Sequence, residues 1–127
     1  MRIRAQFWHV LAVSALALGG PAQALERAEV PARYQWDLTS LFADEAAWVA
    51  AKQEFLAGLP ALAARQGKLG TSAADLLDGM TAWEQSSRRA DRLYSYASQL
   101  SDQDTRVARH QQMQQEMSQA YNQFQAA

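Results

Sequence analysis

Three stretches of this chain repeat apolar residues at intervals of three and four, the spacing that lines one face of an α-helix. In the first, Trp48, Val49, Phe55, Leu56 and Leu59 follow Asp44 and Glu45, whose carboxylates suit the unpaired N–H donors of a helix start. Pro60 is expected to kink or restart that helix. Leu62, Ala63 and Ala64 then lead to a stop at Gly67-Lys68-Leu69-Gly70. The second stretch opens on Ser72-Ala73-Ala74-Asp75, the pattern of a capping box. It continues through Leu76, Met80, Trp83, Ala90, Tyr94 and Ala97, with Ser87 filling one slot. A period near 3.5 sustained this long predicts a seam against partner helices. A second box, Ser101-Asp102-Gln103-Asp104, sets the expected end, which gives a helix of about 28 residues and roughly 42 Å. The third stretch carries Val107, His110, Met113, Met117, Tyr121 and Phe124, and reaches Ala127 without a Gly or Pro stop signal.

No segment alternates strictly or is enriched in β-branched residues, so strands are not expected. The pattern predicts an all-α fold, an antiparallel bundle of about three long helices over residues 44–127. An apolar stretch precedes it: Trp36, Leu38, Leu41 and Phe42 crowd residues 33–42. Residues 25–43 are therefore expected to be a lead-in and docking arm laid on the helices, with those four side chains buried.

The first 24 residues follow a different logic. Arg2 and Arg4 precede an apolar run that ends at Leu18, Gly19-Gly20-Pro21 breaks it, and Ala22-Gln23-Ala24 offers a small-x-small cleavage site, which together predict a signal peptide. Even from Phe7 to Leu18 the run falls short of the ~18 residues that span a bilayer. A periplasmic or secreted product is expected, with no membrane association after cleavage. Loss of Arg2 and Arg4 leaves it mildly acidic.

Composition narrows the chemistry. With 127 residues, 49% hydrophobic and 20% charged, the chain fits one globular domain. Net charge is -1 and no basic run exceeds Arg88-Arg89, so nucleic acid is not an expected partner. Cys 0 removes disulfides, thiolate metal sites and cysteine nucleophiles.

A helical zinc site needs two histidines four residues apart with a glutamate beside them. Beyond the leader the sole histidine is His110, and Glu116 six residues on lies on another face of the helix. His110 is read as a packed histidine rather than a ligand, and no catalytic, cofactor-binding or metal residue is assigned. The serines Ser86, Ser87, Ser95 and Ser98 lack a positioned base. Gly67-Lys68-Leu69-Gly70 lacks the strand and the Ser/Thr of a phosphate loop. Glu84 and Asp91 each lie within helical reach of Arg88, which predicts a solvated ion-paired face. Gln111, Gln112, Gln114, Gln115, Gln119, Gln123 and Gln125 are read as the outer face of the third helix. The aromatic residues Trp48, Trp83, Tyr94 and Tyr121 are read as core, and no converging polar groups mark a small-molecule pocket.

The order Tyr34-Gln35-Trp36-Asp37-Leu38, Leu41-Phe42, Trp48, Gly67-Lys68-Leu69, Leu93-Tyr94-Ser95-Tyr96-Ala97 and Asp104-Thr105 resembles the N-terminal region of oligoendopeptidase F, among the thimet-oligopeptidase-like zinc metallopeptidases. The resemblance implies a helical region packed along a larger helical catalytic body, forming one wall of a cleft that admits oligopeptides. It also implies zinc in the full-length protein, held by a His-Glu-x-x-His helix and a further glutamate. None of those elements occurs in these residues, so this chain by itself is expected to bind no zinc and to be inactive, a fragment whose missing catalytic domain would be its partner. The alternative is a complete, non-enzymatic periplasmic helical interaction module.

Overall fold

The computed structural model describes residues 26–127; the expected signal peptide lies outside them. Two short 3₁₀ turns, Arg27–Glu29 and Ala32–Tyr34, lead into three helices: α1 Glu45–Ala63, α2 Ala73–Gln103 and α3 Ala108–Ala126. No strand occurs among the described residues. The all-α expectation holds.

Both helix starts read from the sequence are built as their side chains dictate. Asp44 Oδ1 accepts the Ala47 N–H at 2.8 Å, and Ser72 Oγ accepts the Asp75 N–H at 3.1 Å. Each satisfies a donor that the first turn leaves unpaired. The Asp75 carboxylate does not reach back to the cap backbone, as a full capping box would have it. It accepts the hydroxyls of Ser72 and Thr71 at 2.5 and 2.6 Å, and these hold its pKa below the ordinary value. Pro60 does not end α1, which runs on to Ala63. Gly67 then turns the chain with φ 75°, a left-handed conformation that glycine adopts without steric cost.

The third helix start, expected at the second box on Ser101, is absent. Ser101 is buried inside α2, which extends through Gln103 to a length of 31 residues, about 46 Å. Asp104 instead orders the turn. Its carboxylate accepts the Arg106 backbone N–H at 3.0 Å and the Arg106 guanidinium at 2.8 and 2.9 Å. These bonds bring the Asp104 pKa down to about 2. Arg106 also grips both oxygens of Glu26 at 3.0 Å, fastening the beginning of the arm to this corner.

The bundle directions follow from which residues meet. Trp48 Nε1 donates to the Leu93 carbonyl at 2.9 Å while Arg65 bonds Asp78 at 2.8 Å, so α1 and α2 are antiparallel. Trp83 stacks on Phe124 with centroids 6.1 Å apart and Tyr94 shares a groove with Tyr121, so α2 and α3 are antiparallel as well. Consequently α1 and α3 run parallel, joined by Glu45 to Arg109 and Lys52 to Glu116. The core gathers Trp48, Phe55, Leu59 and Leu62 from α1, Ala90, Leu93, Tyr96 and Ala97 from α2, and Met113, Met117, Ala120 and Phe124 from α3.

The seam of α2 differs from the expected one. Ala90 and Ala97 are buried, but Leu76, Met80, Trp83 and Tyr94 are exposed, while Gly79, Leu93 and Tyr96 are buried. The inward line runs through Gly79, Ala82, Ser86, Ala90, Leu93 and Ala97, with Leu69 of the preceding turn closing on Gly79.

The arm docks in part as expected. Leu38 is buried and Leu41 and Phe42 pack against the core, Phe42 meeting Tyr96 edge-on at 5.4 Å. The Arg92 guanidinium covers the Phe42 ring at 4.8 Å and donates to the Leu41 carbonyl. Trp36 is the exception at 56% exposed; it is held through its backbone carbonyl, which accepts from Gln103 Nε2 at 3.0 Å.

Candidate functional surfaces

His110 and Glu116 occupy α3 and serve different surroundings. His110 is half-buried, and its Nδ1 has no hydrogen-bond partner among the described residues. Glu116 is fully engaged: it accepts from Lys52, from Arg109 Nη1 at 3.0 Å and from Gln112 Nε2 at 3.0 Å. The Lys52 bond holds the Glu116 carboxyl below its ordinary pKa. Arg109 in turn bonds Glu45 at 2.6 Å, and its guanidinium pKa is raised chiefly by that bond. The four charges strap α1 to α3. Lys52 also sits 4.8 Å over the Trp48 ring, a cation–π contact that closes the strap over the core.

Among the described residues no three of His, Cys, Asp and Glu come together as a metal-ligand set.

Two of the grooves on the described surface bear on function. At one end of the bundle, Leu62, Leu69, Gly79, Met80 and Trp83 line an apolar cavity of about 320 Å³. Leu76 and Leu77 lie nearby on the first turns of α2, and this run from Leu69 to Trp83 holds five large hydrophobic side chains at 41–69% exposure.

The other surface mixes polar groups with aromatic rings. Asp91 and Tyr94 of α2 and Ser118, Tyr121 and Asn122 of α3 line a groove of about 480 Å³. The sequence reading paired Asp91 with Arg88, but Arg88 bonds Glu84, with Nε to Oε1 at 2.6 Å. Of these five side chains only Ser118 is hydrogen-bonded within the described chain, donating to the Gln114 carbonyl at 3.1 Å. The fold thus brings five polar or aromatic side chains from two helices to one groove, a grouping that the sequence did not reveal. The i, i+3 and i, i+4 spacings were visible, but which face of α2 meets which face of α3 was not.

No family model matches this chain, and no solved structure matches it. Curated proteins do. The chain is 34% identical over 98 residues to the Group B oligopeptidase PepB of Streptococcus agalactiae, covering 77% of this chain and 16% of that protein. It is 38% identical over 80 residues to the oligopeptidase PepF of Bacillus subtilis, covering 63% of this chain and 12% of that protein. Against the plasmid oligoendopeptidase F of Lactococcus lactis subsp. cremoris it is 32% identical over 102 residues, 80% of this chain and 17% of that protein. The chain is thus similar to a part of the oligoendopeptidases, and it spans 12–17% of the length of these relatives.

Proposed function

We propose that this chain is the N-terminal helical region of an exported, zinc-dependent oligoendopeptidase that hydrolyses short peptides. In this reading residues 1–24 direct export and are removed, residues 25–43 form the docking arm, and the helices over residues 44–127 supply one wall of the substrate cleft. The zinc ligands and general base belong to a catalytic domain outside these residues.

The observation that carries the reading is the alignment of most of the described helices with a small part of much longer oligopeptidases. The exposed apolar run of Leu76, Leu77, Met80 and Trp83 supports it, because a catalytic body packed on α2 would cover that surface. The alternative, a self-sufficient interaction module, leaves the likeness to peptidases without a role.

The coding sequence beyond residue 127 tests this most directly. A continuing frame with His-Glu-x-x-His is expected, together with peptide cleavage by the longer product that a chelator abolishes. A stop codon directly after Ala127, or chelator-sensitive cleavage by the 127-residue chain alone, would overturn the reading. Export has its own test: the mature product should be found outside the cytoplasm and begin at Leu25.

A further inference from the structure

The groove between α2 and α3 holds Asp91, Tyr94 and Asn122, whose side-chain polar atoms make no hydrogen bond among the described residues, beside Tyr121, whose ring packs on the core. Asp91 and Tyr94 are one turn apart on α2, and Ser118, Tyr121 and Asn122 fall at i, i+3 and i+4 on α3, so each set projects from one face of its helix. The assembled lining holds a carboxylate, two phenol rings, a hydroxyl and a carboxamide. Asp91 is exposed and its nearest helical cation is committed to Glu84, so its charge is available to a ligand. Tyr94, at 39% exposure, shows much of its ring to solvent, and Tyr121 is half-buried against Phe124 at 5.9 Å, which fixes its orientation.

A carboxylate beside aromatic rings is the chemistry that holds an ammonium or guanidinium. The anion supplies charge-assisted hydrogen bonds and the rings attract the cation electrostatically. Hydroxyl and carboxamide groups supply the donors and acceptors that fix a peptide backbone. The groove volume of about 480 Å³ lies within the range of small-ligand sites.

We propose that this groove is a subsite for a cationic group of a peptide, with Asp91 as counter-ion and Tyr94 and Tyr121 as ring walls. The cation is either the amino terminus or a Lys/Arg side chain. The inference rests on the peptidase reading for the ligand being a peptide, and on the groove alone for its charge.

The test titrates the 127-residue chain at low salt with acetyl-Gly-Arg-Gly-amide, Gly-Gly-Gly-amide and neutral acetyl-Gly-Gln-Gly-amide. NMR signals of the Tyr94 and Tyr121 rings and the Asp91 amide report binding. At least one cationic peptide should saturate these signals while the neutral peptide does not. The acetylated and free-amine arms identify which cation is read. Asp91→Asn should weaken binding by on the order of tenfold, Tyr94→Phe should preserve it, and Tyr94→Leu should weaken it. Equal saturation by the neutral peptide, no binding of either cation, or unchanged affinity in Asp91→Asn would each overturn the proposal. Asp91 is exposed, so its replacement should leave the helical far-UV signal intact. An empty groove would sink this inference alone, since the peptidase reading turns on the longer coding sequence and on chelator-sensitive cleavage.

Discussion

Trp48 and Trp83 show how position within a helix decides what an indole contributes. Trp48 is fully buried and its N–H is satisfied by the Leu93 carbonyl at 2.9 Å. Trp48→Ala should therefore cost about 3–5 kcal/mol. Trp83 is 49% exposed and stacks on Phe124, so Trp83→Ala should cost about 1–2 kcal/mol, near half the value for a fully buried side chain. Urea midpoints of the two variants check the order. Glu116 and Asp104 are two of the carboxylates, with Asp37 and Asp75, whose lowered pKa feeds the acid limb of stability. The folded pKa of Glu116 lies below 4.5, chiefly through Lys52, so its contribution is complete above that value and is lost as pH falls through the folded pKa. Asp104 behaves alike between 3.8 and about 2. Urea midpoints taken from pH 7 down to 3 should fall below pH 4.5. Glu116→Gln should lower the midpoint at pH 7 and flatten that fall, and an unchanged slope would show that the strap does not carry it.

Among the elements, α1 and α3 were legible in the sequence and α2 was legible only in part. Asp44 and Ser72 act as caps, and Phe55, Leu59, Met113, Met117 and Phe124 are buried on the faces that their spacing implied. These positions were readable because large apolar side chains and the caps agree. On α2 they conflict. Of the expected seam Leu76, Met80, Trp83, Ala90, Tyr94 and Ala97, the helix buries only Ala90 and Ala97, and it buries Gly79, Leu93 and Tyr96 beside them, so short side chains take several of the inward positions. Ser101 misled for a related reason: a serine followed three residues later by an acid reads as a cap, but a small side chain also fits a crowded helix interface. The α2–α3 groove was invisible because spacing along each helix does not say which faces meet, and the expected pairing of Asp91 with Arg88 gave way to Arg88 with Glu84.

For the whole molecule, α2 is 31 residues long against 19 each for α1 and α3, and its first turns carry the uncovered Leu76, Leu77 and Met80. If a catalytic body covers this surface, Trp83 should be quenched by acrylamide in the 127-residue chain and shielded in the longer protein, with Trp48 shielded in both. Equal quenching of Trp83 in the two proteins would place the covering surface elsewhere. The parallel course of α1 and α3 has a kinetic corollary. Their charged strap joins Lys52 to Glu116 across 64 positions of chain, whereas α2 and α3 are joined by only the four residues 104–107 and share the larger interface. Nearby segments meet at lower entropic cost, so the α2–α3 hairpin should assemble early and α1 should close onto it late. In stopped-flow measurements, Trp83→Ala should then mainly slow refolding, while Lys52→Met should mainly accelerate unfolding.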